Sequence, residues 1–266
     1  MPEFIDQMGS VIVLPSNPKR IISLVPSQTE LLYDLGLDEE VIGITKFCIH
    51  PQKWFNKKTH IGGTKNCNIE LIKKLQPDLI LANKEENIEV QIEAMRAFAP
   101  VWVSDITNYL EAKTMIQSIG NLVGKPAETV HLIAAIETAF EQLPSHPLHP
   151  TVAYIIWKDP YMTVGVDTFI HHILSMAGYQ NVFANHKRYP EISIHEIQEA
   201  SPDLIFLSSE PYPFKMKQLE ELQILLPNSK IHLVNGEMFS WYGSRLKYTP
   251  GYLVELMQSI DALSNS

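Results

Sequence analysis

The sequence predicts an α/β protein of two lobes, each a mainly parallel sheet flanked by helices, bridged by one long α-helix. Three observations predict it. A stretch occurs twice, NIELIKKLQPDLIL at 68–81 and SIHEIQEASPDLIF at 193–206. Each copy joins a polar N-capping residue (Asn68, Ser193), a short amphipathic helix, a proline stop (Pro77, Pro202) and an apolar strand into one αβ unit. Strands and helices alternate along the whole chain, which implies parallel sheets covered on both faces. Finally, PAETVHLIAAIETAFEQL (126–143) reads as a helix of about 27 Å, at ~1.5 Å per residue. PSHPLHP follows it, the clearest breaker in the chain. The expected division is an N-terminal lobe over 1–125, a bridging helix over 126–145 and a C-terminal lobe over 146–266.

Each element has a local reason. Val11–Leu14 is a short strand. Ile21–Val25 is a continuous apolar run, as a strand buried on both faces requires. Pro26 ends it, and Ser27-Gln-Thr-Glu30 reads as a capping box opening a helix that Gly36 stops. Val41–Thr45 is the next strand. The loop from Phe47 to Lys65 is rich in aromatic and polar residues, the kind that carries function on an α/β scaffold. After the first repeat copy, 84–97 and 110–123 read as helices and Val101–Val103 as a strand. Beyond the breaker, Val152–Trp157 is a strand, Asp167 caps a helix, and 184–191 is a loop containing Tyr189. After the second copy, 214–225 is helical, Ile231–Val234 is a strand, and the loop 235–251 leads into a final helix over 251–263.

Composition narrows the function. At 266 residues and 45% hydrophobic there is material for two cores. A formal net charge of −9 argues against nucleic acid, whose phosphates need a basic surface. No apolar run approaches the ~20 residues that span a bilayer. The first twenty residues lack the basic start and apolar core of a secretory signal, so the chain as it stands reads as cytoplasmic. Two cysteines, Cys48 and Cys67, are too few for a disulfide framework.

Four stretches, NPKRIISLVPSQTELLYDLGL (17–37), NIELIKKLQPDLILAN (68–83), TVGVDTFIHHILSMAGYQNVFAN (163–185) and SIHEIQEASPDLIFLSS (193–209), together with FSWYGSR (239–245), resemble a known family in their order. It is the class III periplasmic-type binding proteins, helical-backbone receptors of ABC importers for vitamin B12, haem and iron-siderophores, and the cobalamin-binding members look most similar. The resemblance implies two lobes joined by a rigid helix, with a bulky ligand (corrinoid, haem-like or iron-chelate) between them. It places Phe47, Thr64, Asn83, Tyr189 and Trp241 at ligand-lining positions. Phe47 and Tyr189 keep aromatic character. Thr64 and Asn83 stand where the cobalamin binder compared has tryptophan, and Trp241 where it has arginine, with Arg245 close by. His50 and Tyr242 complete the expected set. Phe47, Trp54, Tyr189, Trp241 and Tyr242 are candidate stacking faces, and Arg245 is a candidate anchor for a carboxylate or phosphate.

The resemblance also implies one surface acid per lobe that docks on a membrane permease. The matching positions are Glu70 and His195, with Glu196 beside the latter. Both acids have structural jobs as well: Glu70 sits in a helix first turn, and Ser193 with Glu196 forms a capping box. The ten histidines lack zinc-site spacing, and no metal is expected. By the same comparison the loops of Cys48, His50 and Cys67 approach the cleft, where a soft metal site or a Cys48–Cys67 disulfide is an alternative to ordinary packing. No cofactor is firmly implied, and a monomer is expected. There is no GxSxG, Walker loop or GxGxxG. The leading reading is therefore a binding protein and not an enzyme. The alternatives are an enzyme of a related two-lobed fold acting on a tetrapyrrole or metal chelate, with His50 or Glu237 as acid-base groups, and a cytoplasmic ligand sensor or carrier.

Overall fold

Two parallel sheets organise the chain. The computed structural model describes residues 2–14 and 17–264. Met1, Pro15, Ser16, Asn265 and Ser266, and with them the outer bounds of the expected lobes, lie outside the described residues. A hairpin of β1 (Glu3–Ile5) and β2 (Val11–Val13) comes first. It is pinned by Asp6, which is 4% exposed, accepts the backbone N–H of Met8 and Ser10 and pairs with Arg96. The first sheet follows: β3 (Ile21–Ser23), β4 (Val41–Ile44), β5 (Thr59–His60), β6 (Leu79–Asn83) and β7 (Val101–Ser104), in the spatial order β5-β4-β3-β6-β7, all parallel. The second sheet is built from β8 (Thr151–Ile155), β10 (Gln180–Asn181), β12 (Leu204–Ser208) and β13 (Lys230–Val234), in the order β10-β8-β12-β13 and again parallel. A two-residue ribbon, β9 (Tyr161–Met162) against β11 (Glu191–Ile192), is antiparallel.

The expected α/β architecture with parallel sheets is present, and the repeat explains it. In the first copy, α3 (Ile69–Lys74) leads into β6; in the second, α8 (Ile194–Ala200) leads into β12. Both strands are buried along their whole length, as their continuous apolar sequence requires. Both turns put the residue before proline in the left-handed region, Gln76 at φ 46° and Ser201 at φ 45°. The remaining helices are α1 (Pro26–Asp34), α2 (Gln52–Lys57), α4 (Glu89–Arg96), α5 (Tyr109–Leu122), α6 (Pro126–Glu141), α7 (Phe169–Met176), α9 (Met216–Leu225), α10 (Glu237–Ser240) and α11 (Thr249–Ser264).

Several local expectations are corrected. Ser27 and Glu30 form no capping box: Pro26 occupies the first turn of α1 and Val25 is its N-cap, so both residues fall inside the helix. Thr168, not Asp167, caps α7, its hydroxyl accepting from His171 N–H. The helix expected over 84–97 begins at Glu89, because Asn83 and Asn87 tie the intervening residues into a turn. The capping box of Ser193 and Glu196 is present.

The chain divides into two compact units. The first comprises Met1–Ile106, Leu110–Glu137 and Tyr242–Lys247; the second comprises Thr107–Tyr109, Thr138–Trp241 and Tyr248–Ser266. The core of the second unit gathers Ala153, Ile155, Ile205 and Leu207 from the sheet with Phe183 and Ile197 beside it. Each of the larger side chains, the isoleucines, Leu207 and Phe183, contributes about 1.5–3 kcal/mol on burial.

Candidate ligand-binding site

In each sheet the strand order reverses at one place. Chain progress from β3 runs outward to β4 and β5 on one side, and β6 then starts the other side, so the switch lies between β3 and β6. In the second sheet it lies between β8 and β12 by the same logic. Open parallel sheets bind ligands outside the carboxyl ends of the strands at such switch points. The repeat strands β6 and β12 therefore each flank a candidate crevice.

In the first unit, Asn83 ends β6 and is 2% exposed. Its side-chain carbonyl accepts the N–H of Glu85 (2.8 Å) and Glu86 (3.1 Å), and its amide donates to the Ser104 hydroxyl and carbonyl (3.0 and 3.2 Å). Gln28 also donates to the Ser104 hydroxyl at 2.7 Å. This buried polar cluster sets the path of the loop that leaves β6. Thr64 is half-buried, and its carbonyl accepts from the Asn87 amide at 3.0 Å. Phe47 stands out at 50% exposure, with the Lys46 ammonium 5.1 Å from its ring centroid. His50 is half-buried. Trp54 offers no stacking face: it is fully buried, packs edge-on to Tyr33 and donates its indole N–H to Asp38 (2.6 Å).

Cys48 and Cys67 are both free thiols, not a disulfide. Cys48 is fully buried between the hydroxyls of Thr29 and Thr45, each 3.1 Å from its sulfur. Burial pushes its thiol up to about 11 against the opposing effect of those hydrogen bonds. Burial, aided by the nearness of Cys48, raises Cys67 to about 11 as well. Such thiols are protonated and unreactive at neutral pH. Among the described residues no group of three or more His, Cys, Asp or Glu side chains is placed to hold a metal ion.

The segment Tyr242–Lys247 belongs to the first unit although its flanks belong to the second. Three contacts stitch it down. The Tyr242 hydroxyl donates to Glu86 (3.1 Å), Arg245 grips Glu30 through two hydrogen bonds (2.9 and 2.7 Å), and Lys247 pairs with Asp34 (3.1 Å). Gly243 permits the approach, since a Cβ there would lie 2.4 Å from the Ser27 carbonyl oxygen. Burial, with the Glu86 carboxylate next in effect, keeps the Tyr242 phenol protonated far above its usual range. The Arg245 guanidinium is thus committed to a carboxylate of its own chain.

In the second unit, Tyr189 is half-buried in the loop before β11. That loop is fastened by Thr163 N–H to the Pro190 carbonyl (3.1 Å) and Gly165 N–H to the Arg188 carbonyl (2.7 Å). Trp241 is 6% exposed, and its indole N–H donates to Glu210 (2.9 Å), which also accepts from the Ser240 hydroxyl (2.6 Å). Phe47, His50, Thr64, Asn83, Tyr242 and Arg245 fall in the first unit, and Tyr189 and Trp241 in the second. Of the three organising acids Glu30, Glu86 and Glu210, sequence reasoning gave the first a capping role and missed the other two. The last two follow the two repeat strands by three and two residues, a signal that was available.

Of the acids expected to dock on a permease, Glu70 is exposed in the first turn of α3. Glu196 is exposed too, but its carboxylate accepts both the N–H and the hydroxyl of Ser193 at 2.7 Å. Those bonds, the hydroxyl's foremost, lower its pKa. Among the described residues no helix is long and apolar enough to cross a membrane.

Two α/β units, each with a switch-point crevice, define a solute-binding architecture. Residues 21–228 match the family described as periplasmic binding protein, and the chain belongs to that family. It is 26% identical over 212 residues to an uncharacterized ABC transporter substrate-binding lipoprotein, YvrC, of Bacillus subtilis, covering 75% of this chain and 67% of that one. It is 26% identical over 208 residues to the vitamin B12-binding protein of Yersinia pestis, covering 75% and 73%. The fold superposes on the petrobactin-binding protein YclQ of Bacillus subtilis with a TM-score of 0.81 at 17% identity, over 97% of this chain and 98% of that one. The chain is a solute-binding protein.

Proposed function

We propose that this protein binds a bulky ligand, a corrinoid, a haem-like macrocycle or an iron chelate, against the carboxyl edges of its sheets, and delivers it to an ABC permease. One observation carries the reading. The sequence-expected ligand residues Phe47 and Asn83, with the loop of Thr64, cluster at the carboxyl ends of β4 and β6, where an open parallel sheet takes its ligand. The chain's relatives support a ligand of that size: one is a vitamin B12-binding protein, and structural neighbours include haem- and petrobactin-binding proteins. Phe47 is an exposed aromatic ring of the first unit and is its proposed apolar contact. With Arg245 held by Glu30, binding rests on apolar burial more than on an ionic anchor.

A second reading, a carrier that hands its ligand to another protein without a permease, is favoured by the second docking position. His195 stands there, and the neighbouring Glu196 carboxylate is occupied by Ser193. The two readings place the protein on opposite sides of the membrane, so fractionation of cells expressing the native gene separates them.

The ligand is tested by the absorption and mass spectra of freshly purified protein, followed by titration with cyanocobalamin, haemin and ferric siderophores. A retained or titratable chromophore is expected. A colourless protein that binds none of them sinks the proposal.

A further inference from the structure

We propose that Trp157 and Tyr212 form a stacking platform in the second unit for a flat, conjugated face of the ligand, with Trp157 as the principal contact. The inference rests on the solute-binding reading above and names the ligand feature that the site selects.

The two rings stand on the loops that flank the switch point. Trp157 lies two residues past the end of β8 and Tyr212 four past the end of β12, and these strands are neighbours. Tyr212 N–H donates to the Ile156 carbonyl at 3.3 Å, which ties the two loops together across the crevice. The rings meet edge to face, centroids 5.7 Å apart at 73°, and Phe214 backs Tyr212 at 4.6 Å. A bridge between Trp157 and Met162, in which Met162 N–H donates to the Trp157 carbonyl, fixes the indole's backbone to the β9–β11 ribbon, whose other strand continues from the Tyr189 loop.

This rigid setting leaves the indole in solvent. Trp157 is 39% exposed, whereas Trp54 and Trp102 are fully buried and Trp241 is 6% exposed. A large aromatic held still and left exposed at a switch point has ordering costs already met before a ligand arrives. The adjacent cation is drawn aside, since Lys158 pairs with Glu221 at 2.6 Å. The face on offer is therefore apolar and polarisable. In the first unit the corresponding loops are bridged by Tyr242 instead, bonded to Glu86 and packed by Gly243 against Ser27. Among the described residues, the open aromatic surface at a switch point is thus that of Trp157 and Tyr212 in the second unit.

The test uses the whole chain and three probes: cyanocobalamin, haemin, and a ferric trihydroxamate that lacks an extended conjugated face. Affinity is read by equilibrium dialysis. Contact is read in the fluorine spectrum of 5-fluorotryptophan-labelled protein, where the line lost in Trp157→Phe assigns that residue among the four tryptophans. The expected result is that a macrocycle binds, moves the Trp157 line, and binds about tenfold or more weakly to Trp157→Ala but within about threefold to Trp157→Phe, as stacking predicts. If a macrocycle binds with the Trp157 line and the Trp157→Ala affinity unchanged, the platform is overturned and the solute-binding reading stands. Binding of the trihydroxamate alone also overturns the platform. Binding of none of the three overturns both. Circular dichroism of each variant checks folding, and Trp157→Phe keeps the test decisive if the alanine variant is unfolded.

Discussion

Arg245 and Glu30 are 215 residues apart in sequence and joined by two hydrogen bonds, at side-chain exposures of 11% and 16%. The pair fixes a short 3-10 turn (Ser244–Lys247) against α1. Two charges this far from water hold each other at small net gain, but removing one strands the other. Arg245→Ala is expected to cost about 2–3 kcal/mol in urea unfolding. The more exposed Lys247–Asp34 pair predicts under about 1 kcal/mol for Lys247→Ala. A Glu30→Leu, Arg245→Met double variant is expected to recover most of the loss, because two apolar groups replace both charges. A double variant weaker than either single would refute the coupling.

Asp78 and Asp203 do the same job in the two units with different atoms. Asp78 uses both oxygens, accepting Lys19 N–H at 2.7 Å and Arg20 N–H at 2.9 Å. Asp203 uses one, accepting the N–H and hydroxyl of Thr151 at 2.8 and 2.6 Å. Each aspartate so ties its repeat strand to the start of its neighbour. Alanine at either site is expected to cost about 1–2 kcal/mol, additively, since the sites lie in separate units. Asparagine distinguishes them. It keeps one carbonyl oxygen but not the charge, so Asp203→Asn is expected to lose only the charge's share of the effect, whereas Asp78→Asn loses one of its two bonds as well. The Thr151 hydroxyl, chiefly, lowers the Asp203 pKa below its ordinary 3.8. Its stabilisation is present above that pH and lost as pH falls below it. Thermal melts of the four variants check both points.

The thiols predict alkaline behaviour. An unfolded cysteine ionises near 9.0, but Cys48 and Cys67 hold their protons to about 11. Between those values the unfolded chain has released protons that the folded chain keeps, so stability falls as pH rises from 9 to 11 and is unaffected by these groups below 9. Comparing wild type with a Cys48→Ala, Cys67→Ala variant removes the parallel contribution of buried tyrosines. The expected outcome is a flatter stability profile for the variant across that window. At pH 8, iodoacetamide is expected to label the half-buried Cys67 slowly and the buried Cys48 only on unfolding.

The architecture was legible because it rests on local signals. Continuous apolar runs as short as LILAN and LIFLS, each set off by a Pro-Asp turn, read as strands buried on both faces, and each copy of the repeat carries its own cap, stop and strand. The site was less legible because its order comes from partners far apart in sequence. Ser27-Gln-Thr-Glu30 matches a capping box, yet Pro26 sets the helix start two residues earlier than that motif needs, and Glu30 is left to meet Arg245. Asn83 sits at a ligand-lining position by resemblance, but its amide and carbonyl are taken up by Ser104, Glu85 and Glu86. The hairpin strand β1 and the β9–β11 ribbon are two or three residues long, too short for alternation to register.

Glu70 and Glu196 separate structure from docking. Glu196 closes a capping box, so Glu196→Ala is expected to lower the melting temperature measurably. Glu70 contributes through the helix macrodipole alone, and Glu70→Ala is expected to cost about 0.5 kcal/mol or less. Docking is measured by co-purification with a candidate ABC permease and by the ATPase rate of that permease in liposomes. Under the transporter reading, Glu70→Ala weakens association while the melting temperature barely moves. Ser193→Ala is the informative companion: it removes the cap and the hydroxyl bond to Glu196, leaving that carboxylate held only by the backbone N–H at position 193, so association is expected to strengthen modestly even as stability falls. If Glu70→Ala and Ser193→Ala both leave association with the permease unchanged, the acids serve their helices alone and the carrier reading gains the site.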